Sequence, residues 1–219
     1  MDIKVNTETT IVFDLDDTLY NELDYLKSAY KDIATTIDRV NWHKIYAYMF
    51  ALYREGFDVF DKLEEDYGCS KNELIHVYRK HIPSLQLFDN ALLILKEIKN
   101  KNGNLGILTD GRSSTQRNKI ESLGIGGLID KIVISEELGT EKPSRNNFLA
   151  IERFFETEHY YYIADNFNKD FVTPNKLGWN TIGMVDNGLN IHYNSKILRK
   201  PEYLPHRFIT SYSELEIIP

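Results

Sequence analysis

Residues 14 to 18 read Asp14-Leu15-Asp16-Asp17-Thr18 directly after the apolar run Ile11-Val12-Phe13. The run has the length and composition of a buried strand, so two carboxylates two positions apart stand at that strand's end. Successive side chains on a strand point to opposite faces, but where the strand frays and the chain turns, Asp14 and Asp16 can converge on one crevice. Paired carboxylates there suit phosphoryl-transfer chemistry. A solvated acidic loop or a calcium-type carboxylate cluster would leave the same trace.

The remaining composition narrows the classes of function. With 219 residues and 42% hydrophobic content, the chain can form one large domain, or a core carrying a smaller insert. A formal charge of −7 and no run of clustered Lys and Arg argue against a nucleic acid polymer or an anionic membrane as partner. Any anionic substrate must be held by local groups. No apolar run approaches the ~20 residues needed to cross a bilayer. The stretch from Met1 to Thr10 lacks the apolar segment of a secretory signal, and the single cysteine, Cys69, excludes an internal disulfide. The expectation is a soluble cytoplasmic protein, with Cys69 a bystander.

Short apolar runs recur at Leu105 to Leu108, Ile132 to Ile134, Tyr160 to Ala164 and Thr181 to Val185, one strand-helix repeat apart. Between them, Ser113-x-x-Gln116 reads as a capping box opening a helix that stops at Gly124. Pro143-Ser144 opens another, carrying Phe148, Ile151 and Phe155 at helical spacing. This alternation predicts an α/β fold, a parallel sheet with helices on both faces, whose ligands bind outside the strands' carboxyl ends. It breaks once, between Phe13 and Leu105. That gap holds Leu23, Leu26, Tyr30, Ile33 and Ile37 at spacings of three and four, an aromatic-rich stretch from Trp42 to Phe60, and a second capping box, Ser70-x-x-Glu73. It predicts an inserted helical bundle, ended by Pro83, with Asp89 capping the helix that returns the chain to the sheet. Trp42, Tyr46, Tyr53 and Phe57 are spaced as a helix interior would be. Arg54, Arg79, His76 and His81 are candidates for reading an acidic leaving group, and each is equally a solvated or capping side chain.

Three further polar signals fall at later strand ends. Thr109-Asp110-Gly111 combines a hydroxyl with the N–H groups of a glycine-containing turn, which can cradle an anion, though it also reads as an ordinary turn. Lys142, in Glu141-Lys142-Pro143, could neutralise both Asp14 and a bound phosphate. Asp165 ends the strand at Tyr160 to Ala164, and Asp170 lies five residues on. Carboxylates gathered beside Asp14 would repel it unless they shared a divalent cation, and an oxygen-rich site suits Mg²⁺.

Taken together, these segments resemble the haloacid dehalogenase superfamily, in its branch with a helical cap inserted after the first motif. Asp14 to Thr18 is similar to the first motif, Thr109-Asp110-Gly111 to the second, Lys142-Pro143 to the third, and Asp165-Asn166-Phe167-Asn168-Lys169-Asp170 to the fourth. Ala164 stands where the family commonly has glycine, and Asp110 where many members have asparagine. The resemblance implies a three-layer α/β/α Rossmann-like core of residues 1–20 and 86–219 and a helical cap domain of residues 21–85. By the same resemblance, Asp14 is the nucleophile that forms an aspartyl-phosphate, and Asp16 is the acid and base. Thr109, Asp110 and Lys142 would hold the phosphate. Mg²⁺ would be bound by Asp14, Asp165 and, through its backbone carbonyl, Asp16, with Asp170 acting from behind. The implied substrate is a small phosphorylated metabolite, a sugar phosphate or nucleotide, and the implied state is a monomer or homodimer. Resembling dehalogenases lack a carboxylate two residues after the nucleophile, so Asp16 favours phosphatase over 2-haloacid dehalogenase. A phosphomutase, or a phosphate-binding module without turnover, are the remaining alternatives.

Overall fold

The computed structural model describes residues Met1 to Pro219. The chain opens with β1 (Asp2–Lys4) and β2 (Thr9–Phe13), then leaves the sheet for α1 (Glu22–Ile37), α2 (Trp42–Glu55), α3 (Val59–Tyr67) and α4 (Lys71–Lys80). It returns through α5 (Ala91–Asn100) to β3 (Asn104–Thr109), α6 (Ser113–Ser122), β4 (Lys131–Ile134), the short α7 (Ser135–Leu138) and α8 (Arg145–Phe155). The last elements are β5 (His159–Ala164), α9 (Val172–Lys176), β6 (Asn180–Met184), β7 (Arg207–Ile209) and β8 (Glu216–Ile218).

Six strands form one parallel sheet in the order β4-β3-β2-β5-β6-β7, and β1 pairs with β8 in a separate parallel ribbon. The fold is thus α/β and Rossmann-like, as the alternation of runs predicts. Every residue of β2 is buried, because it pairs on one edge with β3 and on the other with β5. The strand order reverses direction at β2, and in parallel sheets a crevice opens at the carboxyl ends beside such a reversal. On one face, Ile11, Phe13, Ile107, Leu95 and Ile98 pack together. On the other, Val12, Leu108 and Tyr162 pack with Phe148 and Trp179.

Helices α1 to α4 carry an apolar core of their own, built around Leu26, Ile33, Ile45, Met49, Leu63 and Leu74. Along α2 the inward positions are Ile45, Met49 and Leu52. The expected aromatic interior is therefore corrected: Trp42, Tyr46 and Tyr53 are only partly buried at its margin, and Phe57 is exposed. Ser70 caps α4 by accepting from the Glu73 N–H, and Gly124 takes the left-handed backbone after α6. Asp89 does not cap α5. The cap position is Asn90, whose own left-handed backbone turns the chain, and no side chain accepts there.

The chain leaving α4 lies along α6. Thr115 Oγ1 donates to the Arg79 carbonyl at 3.3 Å, Asn118 Nδ2 to the His81 carbonyl at 3.3 Å, and Ser122 Oγ to the Pro83 carbonyl at 2.7 Å. These three residues form one stripe on the helix, so an extended linker is fastened to it at alternate residues. Strands β7 and β8 have no counterpart in the sequence reading, because three residues are too few for a period of two to show.

Phe148 is fully buried and meets Tyr162 and Trp179 edge-on. Truncation to alanine is expected to cost about 3–5 kcal/mol in urea unfolding, the range for an aromatic removed from a core. A loss below 1 kcal/mol would contradict this packing.

Candidate active site

Four segments bring their polar ends together at the carboxyl rim of β2. The Asp14 N–H donates to the Ile163 carbonyl at 2.9 Å, continuing the ladder to β5, so the Asp14 side chain emerges where the strand ends. Thr109 ends β3, Asp165 follows β5, and Lys142 enters from the segment between α7 and α8. Lys142 Nζ lies 2.7 Å from Asp14 Oδ1 and 2.8 Å from Asp170 Oδ1, and donates to the Tyr162 hydroxyl at 3.1 Å. Asp170 Oδ2 accepts from the Asn166 N–H at 3.0 Å. Asp165 accepts from the Thr18 hydroxyl at 3.3 Å and from Asn190 Nδ2 at 3.0 Å.

Asp14, Asp165 and Asp170 are all buried, with carboxylate oxygens within 4.8 Å of one another. Burial pushes the Asp14 carboxyl up to about 7 against the pull of Lys142, with Asp170 adding to the rise. Burial also raises Asp165 well above the carboxylate range, and the charges of Asp14 and Asp170 raise it further. Burial works against the charge on Lys142, but Asp14 and Asp170 outweigh it, so the ammonium stays charged. One ammonium among three buried carboxylates leaves an excess of negative charge. The donors are all oxygens, so the set fits a hard divalent cation.

Asp16 is held apart from this cluster. Its Oδ1 accepts from Lys119 Nζ at 2.7 Å and from the Tyr20 hydroxyl, and its Oδ2 accepts from Gln116 Nε2 at 2.8 Å. Burial raises this carboxyl, but the charge of Lys119 and the three hydrogen bonds prevail and hold it below the ordinary value. The same Gln116 amide donates to Thr109 Oγ1 at 2.7 Å, tying the acidic residue to the hydroxyl of the neighbouring strand. Asp17, in left-handed backbone, accepts from the Glu22 and Ile191 N–H groups and fixes where the chain departs for α1.

These contacts correct several sequence expectations. Gln116 is no capping residue: the first turn of α6 is satisfied from α7, where Glu136 accepts the Ser113 N–H at 2.8 Å. The Asp110 carboxylate is not free for a phosphate, since its oxygens accept from the Lys142 N–H at 3.1 Å and from Lys169 Nζ at 2.7 Å, which leaves its backbone N–H as the donor to an anion. Its placement is that of a residue orienting two lysines. The Gly111 N–H is likewise taken by Ser135 Oγ. Tyr20 is buried and bonds Asp16. His81 is buried between Ser28 and Asp32, Arg54 and His76 are exposed away from the cleft, and Arg79 lines a neighbouring cavity.

The resulting cleft has a volume of about 300 Å³ and no hydrophobic side chain in its wall. It also exposes Lys169 and His192, which were given no role in the sequence reading. Lys169 falls inside the fourth motif, and Gln116 and Lys119 share one face of α6, so a closer reading of spacing could have raised all three. His192 lies in an irregular segment with no local signal.

Comparison with known proteins agrees with this geometry. Residues 11–184 match the family of haloacid dehalogenase-like hydrolases. The glyceraldehyde 3-phosphate phosphatase of Methanocaldococcus jannaschii is 27% identical over 80% of this chain and 84% of its own length. The pyrimidine 5′-nucleotidase YjjG of Escherichia coli is 30% identical over 58% of this chain and 53% of its own. Among solved structures, the magnesium-bound HAD-hydrolase YfnB of Bacillus subtilis superposes with a TM-score of 0.66 at 20% identity, covering 94% of this chain and 96% of that one. The chain belongs to the haloacid dehalogenase-like hydrolases, and within them it is a phosphatase.

Because burial holds on Asp14 a proton that a cation would displace, Mg²⁺ should bind more tightly as pH rises through about 7. Calorimetry in buffers of different ionisation enthalpy should read a proton release that falls between about pH 6 and pH 8, as Asp14 loses its proton in the free protein. Affinity independent of pH across that range would contradict the placement of the cation among these carboxylates.

Proposed function

We propose that this chain is a Mg²⁺-dependent phosphomonoester hydrolase that acts on a small phosphorylated metabolite through an aspartyl-phosphate on Asp14. The observation that carries this is the division of labour between two carboxylates two residues apart. Asp14 faces Lys142 and the acidic cluster, while Asp16 faces Lys119, Tyr20 and Gln116. A nucleophile and a separate proton carrier are what displacement at phosphorus, followed by hydrolysis of the acyl phosphate, requires.

Lys142 holds Asp14 in place by a charged hydrogen bond and offers positive charge to the equatorial phosphate oxygens. Thr109 accepts from Gln116, and its own hydroxyl proton, which rests at 3.4 Å on the Asp110 carbonyl, can turn to a bound phosphate. Asp16 starts as a carboxylate, and the negative charge of a bound phosphate raises its proton affinity toward the acid form needed to protonate the leaving oxygen. It then takes a proton from the water that attacks the acyl phosphate. A cation held by Asp14, Asp165 and the Asp16 backbone carbonyl would offset the repulsion between nucleophile and substrate. Asp170, hydrogen-bonded by Lys142, Tyr162 and Asn166, orients the lysine from behind.

The relatives support a phosphorylated metabolite as substrate, since those named act on a triose phosphate and on pyrimidine nucleotides. Asp14→Asn should lower Mg²⁺-dependent release of phosphate from p-nitrophenyl phosphate by at least ~10³-fold. The unfolding midpoint in cation-free buffer should be kept, because Lys142 retains Asp170 as its counter-ion. Retained turnover in this variant would remove Asp14 as nucleophile.

Removal of the cation by a chelator should abolish release and lower the thermal midpoint, as expected for a ligand bound only by the folded state. Halide release from 2-haloacids, or redistribution of phosphate between sugar hydroxyls without free phosphate, would identify dehalogenase or mutase chemistry instead.

A further inference from the structure

A second cavity, of about 340 Å³, lies beside the catalytic cleft at the seam between helices α1, α3 and α4 and helix α6. The two share Asp16, Glu22, Asp110 and Gly111 in their walls, so one ligand can reach through both. Gln116 and Lys119, which hold the Asp16 carboxylate, line this second cavity and not the first. The proton carrier therefore stands at the boundary, and the oxygen it protonates belongs on the second cavity's side.

The walls of this cavity are chemically uneven. Tyr25, Phe60, Ile75 and Tyr78 supply apolar surface from the helical insert. Most of the charges are already matched: Asp16 by Lys119, Asp110 by Lys169, Asp58 by Lys71 and Arg112 by Glu136. Glu22 lies 3.8 Å from Lys119. Arg79, in the last turn of α4, is the one cation of this wall that makes no ion pair; Glu136, held low chiefly by Arg112, feels its charge only as a minor influence. The Arg79 carbonyl is fastened to α6 through Thr115, so the side chain departs from a fixed point at the edge of the cavity. A planar, permanently charged fork in that position suits a carboxylate or a phosphate.

We propose that this cavity seats the leaving group and that Arg79 binds a second anionic group on it, so that the preferred substrates are phosphomonoesters carrying a carboxylate or a second phosphate. The proposal rests on the phosphatase function given above.

Matched pairs of esters test it. The full-length enzyme with Mg²⁺ is given 3-phosphoglycerate against glycerol 3-phosphate, and fructose 1,6-bisphosphate against fructose 6-phosphate, with phosphate release as the readout. The doubly anionic member of at least one pair should show a kcat/KM at least ~10-fold higher, mainly through KM, a factor of the size that one charge-assisted contact supplies. The pair that shows it identifies which anion is read. Arg79→Gln should bring that ratio toward one, and Arg79→Lys should restore part of it. Equal kcat/KM within both pairs, or an Arg79→Gln change that lowers both members by the same factor, overturns the proposal. In that case continued Mg²⁺-dependent cleavage leaves the phosphatase function standing. Failure to cleave any ester, p-nitrophenyl phosphate included, overturns both.

Discussion

Three buried carboxylates around one lysine are the constraint on which the rest of the site depends. Asp14, Asp165 and Asp170 are drawn from two neighbouring strand ends and the loop after one of them, and Lys142 is the only ammonium in direct contact with the group. Such an arrangement is costly to assemble, since each carboxylate loses water and faces like charge. It persists because the sheet and its core hold the strand ends rigidly, and because Tyr162, Asn166, Thr18 and Asn190 supply hydrogen bonds to the oxygens. A core that positions these groups thus maintains an electrostatic demand that a cation can meet.

Helix α6 links this chemistry to the helical insert. One stripe, Thr115, Asn118 and Ser122, fastens the chain returning from α4. Another, Gln116 and Lys119, holds Asp16 and, through Thr109, the end of β3. Lys119 also lies over the Tyr25 ring of α1, 4.6 Å from its centroid. Asp16, the proton carrier of the proposed mechanism, is therefore braced by the same element that anchors the insert. Its geometry and the shape of the neighbouring cavity are set together.

The two departures from the family pattern are accommodated without loss of a functional group. The Ala164 methyl is fully buried and packs into the core below the site. Asp110 adds a carboxylate near a phosphate position, but Lys169 neutralises it and the Lys142 N–H donates to it. The charge that Asp110 adds is thereby matched locally, and this acid orients the two lysines.

The sequence alone determined the succession of five strands along the chain, the parallel α/β class, the existence of a helical insert and which polar residues stand at the strand ends. Apolar runs and helical spacing depend on the nearest neighbours in the chain, so β2, β3, β4, β5 and β6 were legible. Tertiary structure decided which polar side chains meet. Gln116 reads locally as a cap but reaches Asp16 across 100 positions, and Lys119 does so across 103. That the Asp110 carboxylate pairs with Lys169, 59 positions on, is likewise decided only by the fold. His192 enters the cleft from a segment without regular structure. Contacts of this kind arise from packing between distant segments, and local patterning carries no trace of them because their energy exists only once the sheet has brought the segments together.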